Sequence, residues 1–386
     1  MSTEKRRYIL YGTGGEAERF LFQNQDILDR ISFCIDRRNT GKFHGISVYS
    51  SDEVTLCDYM ETHCLIVAAG SMKVFTELKR KLCAQGLKEW EHFLWSKVFR
   101  KKVVVINANC HGEAIEKYLN LSPSFCNEYM IYPLLAVHLN LKGEIEPELL
   151  KHTDVYIHQD IRVENEMGYK LSDEYVKGCL PEHVTDICIP NFVGMGRWMY
   201  PALGGLDKVI NSMQGPLYVL YKDAVLDEAV DCCERYEEFR TYWMNYSYED
   251  DRLEEIFAVS MNKLKERERN WDIKIYDFIE RNYRKIPCFT DANHPSKYVM
   301  KEVGRQLAER MGLSDINDEN YESSLGLRVP VLNCILTYYN LEFEVCSEVR
   351  NEYLGKRVVE EIDDYIKAYL WWYHGISMET GREEII

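Results

Sequence analysis

With 386 residues, 46% of them apolar, the chain is long enough for two domains with cores of their own. A formal net charge of −16 excludes an extended nucleic-acid surface, which needs a basic stripe interleaved with aromatics. No uninterrupted apolar run reaches the roughly 20 residues of a membrane span. The charged opening Met1-Ser-Thr-Glu-Lys-Arg-Arg7 precedes too short an apolar run for a secretory core, and 13 scattered cysteines without a Cys-x-x-Cys pair read as reduced thiols, so the protein is expected to be cytoplasmic.

Residues 8–11 read as a strand, Gly12-Thr-Gly-Gly15 as a tight turn, and residues 16–25 as a helix with Ala17, Phe20 and Leu21 on one face. A second strand over 31–35 ends at Asp36. A loop with Gly41 and Gly45 follows, then a strand at 64–69, a helix over 71–85 and a strand near 90–94. This alternation predicts an α/β protein that opens with a small parallel-sheet, Rossmann-like domain over residues 1–100. Past a basic hinge at 97–102, a larger, helix-rich α/β domain is expected over 101–386. Its strands fall at 103–107, 154–158 and 186–189, its helices at 111–119 and 297–311, with a long charged helical region from 223 to 283 and a helical tail at 358–373. The charge runs at 234–240 and 263–269 read as solvated helix faces.

Gly12, Gly14 and Gly15 follow a strand and open a helix, the context in which backbone approaches a phosphate, and Asp36 stands where an acid binds a ribose hydroxyl. Ala17 replaces the third glycine of that pattern. Tyr11-Gly-Thr-Gly-Gly15, Phe33-Cys-Ile-Asp36 and Gly45-Ile-Ser-Val48 resemble the N-terminal domain of bacterial sugar acyltransferases of the PglD type. The resemblance implies a uridine-diphosphate sugar site there; a docking or dimerisation module without ligand is the alternative, and homo-oligomerisation is left open.

The second series begins with Val103-Val-Val-Ile-Asn-Ala-Asn-Cys-His-Gly112, a strand that runs directly into a helix and puts Cys110 beside a helix N-terminus. Helix dipoles and unpaired N–H groups stabilise an anion at that position. Cys110 is therefore a candidate nucleophile, and the N–H groups around Asn109, His111 and Gly112 are candidates for holding a pyrophosphate or an oxyanion; a buried, inert thiol is the alternative. Phe289-Thr-Asp-Ala-Asn-His-Pro-Ser296 places His294 in a loop as a candidate base, Asp291 as its orienting acid, and Ser296 as an available helix cap. Two more strand ends, His158-Gln-Asp-Ile-Arg162 and Pro190-Asn-Phe192, carry polar residues. Polar groups after three strands define one rim of a cleft, with Arg162, Arg197 and Lys297 as candidate phosphate-facing cations. No His-x-x-x-His or paired Cys/His spacing appears, and no metal site is expected.

The Asn-Cys turn after the first strand of this series, Gln159, Ile189-Pro-Asn-Phe192 with Gly194-Met-Gly-Arg-Trp-Met-Tyr-Pro201, Asn293-His-Pro-Ser296 and Arg328-Val-Pro-Val331 together resemble the WcbI family of polysaccharide biosynthesis proteins. The resemblance spans about residues 102 to 345. It implies a protein that binds coenzyme A or acetyl-CoA and transfers acetyl groups to a sugar hydroxyl, and it singles out Asn109, Cys110, Gln159, Asn191 and His294. His111 departs from the family's usual glutamine after the cysteine. The layout also resembles esterases of the SGNH type, with Cys110 in place of the serine and Asn191 as an oxyanion donor, an analogy of arrangement that does not establish the reaction. Hydrolysis by a thiol esterase and a non-enzymatic nucleotide-binding adaptor in a glycan assembly complex are the alternatives to acyl transfer.

Overall fold

The structure, a computed structural model, describes residues 6–136, 143–164, 168–206, 221–323, 329–343 and 362–376. Arg328 and residues 358–361, part of the expected closing segment and tail, lie outside the described residues.

The first sheet is built from β1 (Arg7–Tyr11), β2 (Ile31–Asp36), β3 (Gly41–Phe43), β4 (Ile46–Ser50), β5 (His63–Val67) and β6 (Phe93–Trp95), with α1 (Gly15–Gln23) and α2 (Met72–Ala84) packed on it. Its order is β3-β4-β2-β1-β5-β6, parallel except for the β3–β4 pair. Tyr8, Ile9 and Leu10 are buried in succession because both faces of the sheet are covered, which explains the continuous apolar run. The loop expected around residues 41–45 is instead the β3–β4 hairpin, in which Phe43 pairs with Ile46. Its two central residues, His44 and Gly45, have φ of 50° and 81°, the two-residue turn that matches strand twist. The pair is not one of the Asn-Gly, Asp-Gly or Gly-Gly pairs that favour such a turn, so the sequence carries little turn signal.

The second sheet contains β7 (Lys102–Ala108), β8 (Tyr129–Ala136), β9 (Val155–His158) and β10 (Thr185–Cys188). Between them run α3 (His111–Leu119), α4 (Pro123–Glu128), α5 (Pro147–Lys151) and α6 (Asp173–Cys179). The order is β10-β9-β7-β8, all parallel. β8 is absent from the sequence reading. Pro133 interrupts its pattern, and the pairing with β7 shifts register between Val104–Ile131 and Ile106–Leu134; proline is tolerated there because β8 is an edge strand. The chain visits β8 on one side of β7 and then crosses to β9 on the other. The β7/β9 boundary is thus the switch point at which open α/β sheets bind ligands.

A two-stranded ribbon, β11 (Leu203–Leu206) and β12 (Tyr221–Asp223), leads into the helical part. The expected charged helical region resolves into α7 (Ala224–Val230), α8 (Tyr236–Asn245), α9 (Asp250–Glu268) and α10 (Tyr276–Asn282). Then come α11 (Lys297–Arg310), α12 (Asn333–Tyr338) and α13 (Ile362–His374). No helix among the described residues is long and apolar enough to cross a membrane.

One apolar cluster joins the two sheets. Phe75 and Trp95 from the first stack at 5.2 Å between centroids, and Trp95 meets Tyr132 of β8 at 5.9 Å, with Leu149 and Tyr156 in the same core. Lys79 Nζ of α2 crosses the same junction, 2.6 Å from buried Glu89 and 2.5 Å from Glu146, while Tyr132 donates to Glu89 at 2.7 Å. A larger cluster holds α3, α9 and α11 together. There α11 lies directly on α3, because a Cβ at Gly304 would sit 2.4 Å from the Tyr118 ring.

Candidate active site

The site begins where β7 ends. Val103 to Ile106 and Ala108 are buried and keep the strand rigid up to Asn109. The Asn109 side chain then accepts from His111 N at 3.0 Å, and its carbonyl accepts from Gly112 N at 2.9 Å, which turns the chain into α3 with Cys110 at the cap. Gln159, just past β9 and 2% exposed, ties this turn to the next strand end. Its Oε1 accepts from Asn109 N at 3.0 Å, and its amide donates to Pro190 O at 3.0 Å. The remaining amide proton points at His111 Nδ1, also 3.0 Å away, which leaves the His111 ring proton on Nε2.

Across the crevice, the 289–296 loop brings its histidine to the thiol. His294 Nε2 lies 3.3 Å from Cys110 Sγ, and His294 Nδ1 lies 2.7 Å from Asp291 Oδ2. Asp291 is fully buried, and its Oδ1 accepts from Asn293 N at 2.7 Å, His294 N at 2.9 Å and Tyr221 OH at 3.2 Å. Burial alone lowers the basicity of His294. The Asp291 charge and hydrogen bond, together with the Cys110 contact, outweigh it and hold the imidazole well above the ordinary histidine range. This is a thiol, an imidazole and an oriented carboxylate in series, the geometry of an activated nucleophile.

The loop after β10 clamps this arrangement. Gly194 N donates to Asn293 Oδ1 at 2.7 Å, and Gly196 N donates to Ala292 O at 3.0 Å. A Cβ at Gly196 would fall 2.3 Å from the Asp291 carbonyl oxygen, so glycine is required for the two loops to touch.

Of the residues singled out by the sequence, Asn109, Cys110, His111, Gln159, Asp291 and His294 converge. Gly112 is buried in the first turn of α3. Asn191 follows β10 and its Oδ1 accepts from Val193 N at 3.2 Å, a local turn that orients its amide; no hydrogen bond ties it to Cys110 or His294. Ser296 stands at the cap position of α11 but makes no cap bond, and its hydroxyl is buried in a residue only 3% exposed, so the expected side-chain cap is not formed. Lys297 is paired with Glu322 at 2.5 Å. Arg162 and Arg197 are exposed on the rim. Gly194 and Gly196 lie in the segment 194–201 that carries the family resemblance, although their contacts have no signal in the sequence. Tyr221 has none at all, since its role exists only where separate segments meet.

In the first sheet, Asp36 is occupied by its own turn. Its carboxylate accepts from Thr13 N at 2.9 Å, Thr13 Oγ1 at 2.7 Å, Arg38 N at 2.8 Å and Asn39 N at 3.1 Å. That is the full acceptor capacity of a carboxylate, whereas the sequence pattern reserves it for a ribose. A Cβ at Gly14 or Gly15 would meet open space, but Glu16 and Glu18 place two acids in the first turn of α1.

Fold and site together define an α/β protein with a thiol–imidazole–carboxylate relay at the switch point of a parallel sheet. The family model of the polysaccharide biosynthesis enzyme WcbI matches residues 103–316, more than half of the chain, and the chain belongs to that family. A solved structure of WcbI, described as a novel polysaccharide biosynthesis enzyme, has a TM-score of 0.56 and 19% identity, covering 70% of this chain and 89% of the other. That structure is described as the native protein without a disulfide bond between coenzyme A and one of its cysteines. Among curated proteins none matches the chain.

Proposed function

We propose that this member of the family is a coenzyme-A-dependent O-acyltransferase that moves an acetyl or related acyl group to a sugar hydroxyl during surface-polysaccharide biosynthesis. The observation that carries the reading is the Asp291–His294–Cys110 relay, a nucleophile with an oriented base at 3.3 Å. The coenzyme A named for the similar structure supports the choice of donor.

Cys110 Sγ attacks the thioester carbonyl while its proton passes to His294 Nε2. Collapse breaks the bond between the carbonyl carbon and the coenzyme A sulfur, and His294 returns the proton to the departing thiolate. The exchange of one thioester for another is nearly isoenergetic, so the acyl group on Cys110 is not trapped. His294 then takes the proton of the acceptor hydroxyl as its oxygen attacks, and Cys110 leaves as a thiol on regaining that proton. Asn191, oriented by its own turn, is the candidate oxyanion donor. The N–H groups of Asn109, His111 and Gly112, candidates in the sequence, are taken by Gln159 Oε1, Asn109 Oδ1 and the Asn109 carbonyl. Gln159 keeps the Asn109 turn and His111 in place.

A uridine-diphosphate sugar at the glycine turn of the first sheet is the less favoured part of the reading. The Asp36 carboxylate is saturated and the acids of α1 oppose a phosphate at its N-terminus.

Mass spectrometry after mixing with acetyl-CoA is expected to find one acetyl group on Cys110. Cys110→Ser should abolish that adduct and lower transfer by about 10²-fold or more. Full activity in Cys110→Ser would remove the covalent step and leave direct attack with His294 as base. Release of acyl groups from sugar esters without coenzyme A would replace transfer by hydrolysis.

A further inference from the structure

Residues 263–269 read in the sequence as a solvated face of a charged helix, yet two cations of α9 turn toward the loop that follows β10. Arg267 is partly buried and its Nη1 donates to the carbonyls of Asn191 at 3.4 Å and Val193 at 3.3 Å. Lys263 Nζ lies 3.6 Å from the position a Cβ on Gly194 would take. Arg197 follows on the same loop, and Arg162 approaches from the segment after β9.

These charges are close enough to oppose one another. Lys263 is held below the ordinary lysine range by burial and by the charges of Arg267 and Arg197. Arg267 is lowered by burial and by Arg162, with Asp160 acting in the opposite sense. Among the described residues, Lys263, Arg197 and Arg267 form no ion pair, and Arg162 reaches only Asp160, at 3.4 Å. Other cations of the same part of the chain do have carboxylate partners: Lys297 has Glu322, Lys301 has Asp318 and Lys177 has Asp186. In a protein of net charge −16, four converging cations left largely without carboxylates form a local positive field. The loop beneath them is bonded on its other side to the loop carrying His294.

We propose that Arg162, Arg197, Lys263 and Arg267 form a diphosphate-binding subsite on the rim of the Cys110 crevice, taking the phosphates of a nucleotide-bearing substrate. Arginine forks and a lysine point charge are the groups that hold phosphate oxygens best. The proposal rests on the acyl-transfer reading only for the choice of coenzyme A as the first probe. A nucleotide-diphosphate sugar acceptor carries the same chemistry.

Lys263→Gln, Arg197→Gln and the double variant test it in the full chain, since both side chains are exposed and the substitutions break no ion pair among the described residues. Calorimetric titration with coenzyme A, phosphate-free pantetheine and UDP-glucose separates the sources. The expected result is a rise in the Kd for coenzyme A of roughly tenfold per lost charge, with pantetheine unaffected and with weaker salt dependence in the double variant. Weakening of UDP-glucose alone would keep the subsite and assign it to the acceptor. Unchanged affinity for both phosphorylated probes would overturn it. Acetylation of Cys110 by acetyl-CoA, followed in the same variants, keeps the two readings apart. Acetylation with no effect of the variants on binding sinks the subsite alone; weakened coenzyme A binding with no acetylation of any protein sinks acyl transfer alone.

Discussion

A thiol becomes a nucleophile when its proton has somewhere to go, and His294 Nε2 at 3.3 Å provides that place. What sets the ring's orientation is Asp291, which has no solvent to lean on: one oxygen holds His294 Nδ1, and the other is held by two backbone N–H groups and Tyr221. Asp291→Asn keeps the shape, removes the charge, and lets burial dominate the imidazole. The His294 pKa is therefore expected to fall, as read by NMR titration, and Cys110-dependent turnover to drop by about 10²-fold or more. An unchanged titration would mean that Asp291 is not the source of the raised basicity. Cys110, His294 and Asp291 were all legible in the sequence, because each stands at a strand end or in a polar turn. Tyr221 was not, since a tyrosine in a ribbon strand has no chemical pattern around it.

Two elements set the geometry of the relay. α3 starts at the thiol and α11 starts just after the histidine, so the contact between them fixes the 3.3 Å separation. Gly304→Ala would push a methyl group to 2.4 Å from the Tyr118 ring. A loss of about 1–3 kcal/mol is expected by denaturant titration, with a fall in turnover at saturating substrate even where the protein stays folded. The β9–β10 pair carries a second device: His158, 1% exposed, lies 2.9 Å from both Asp173 and Asp186, and these partners outweigh burial and raise it to about 9. A histidine raised in the folded state stabilises fully below its unfolded value near 6.5 and loses that contribution as pH rises through 9. Wild type and His158→Gln should therefore differ most near pH 6 and converge above pH 9, by an amount on the order of 3 kcal/mol. A gap that does not narrow with pH would show that the ring, not its charge, matters. Strand β8 and the β3–β4 hairpin escaped the sequence reading for local reasons: a proline inside one, and a histidine with positive φ in the turn of the other.

At the scale of the molecule, the two sheets are joined by a common core and by the Lys79 network. Lys79→Met leaves Glu89, 8% exposed and already raised above the usual carboxylate range by burial, without its cation. Breaking such a buried pair from one side costs about 3 kcal/mol or more. The expected outcome is a lower denaturation midpoint in which probes of both sheets move together; separate transitions would show that the shared core does not couple them.

The sequence by itself determined the alternation of strands and helices, the thiol at a strand-to-helix junction and the histidine turn, because period, glycine and polar punctuation are local properties. Only the tertiary structure decided which of those groups touch. The sequence separation of 184 between Cys110 and His294 is closed by the α3–α11 contact. Arg267 of α9 reaches the carbonyls of the β10 loop because the helix packs there, and Asp36 closes its own turn because Thr13 and Asn39 fold back onto it. Contact between distant residues depends on packing, and packing has no signature in a single segment.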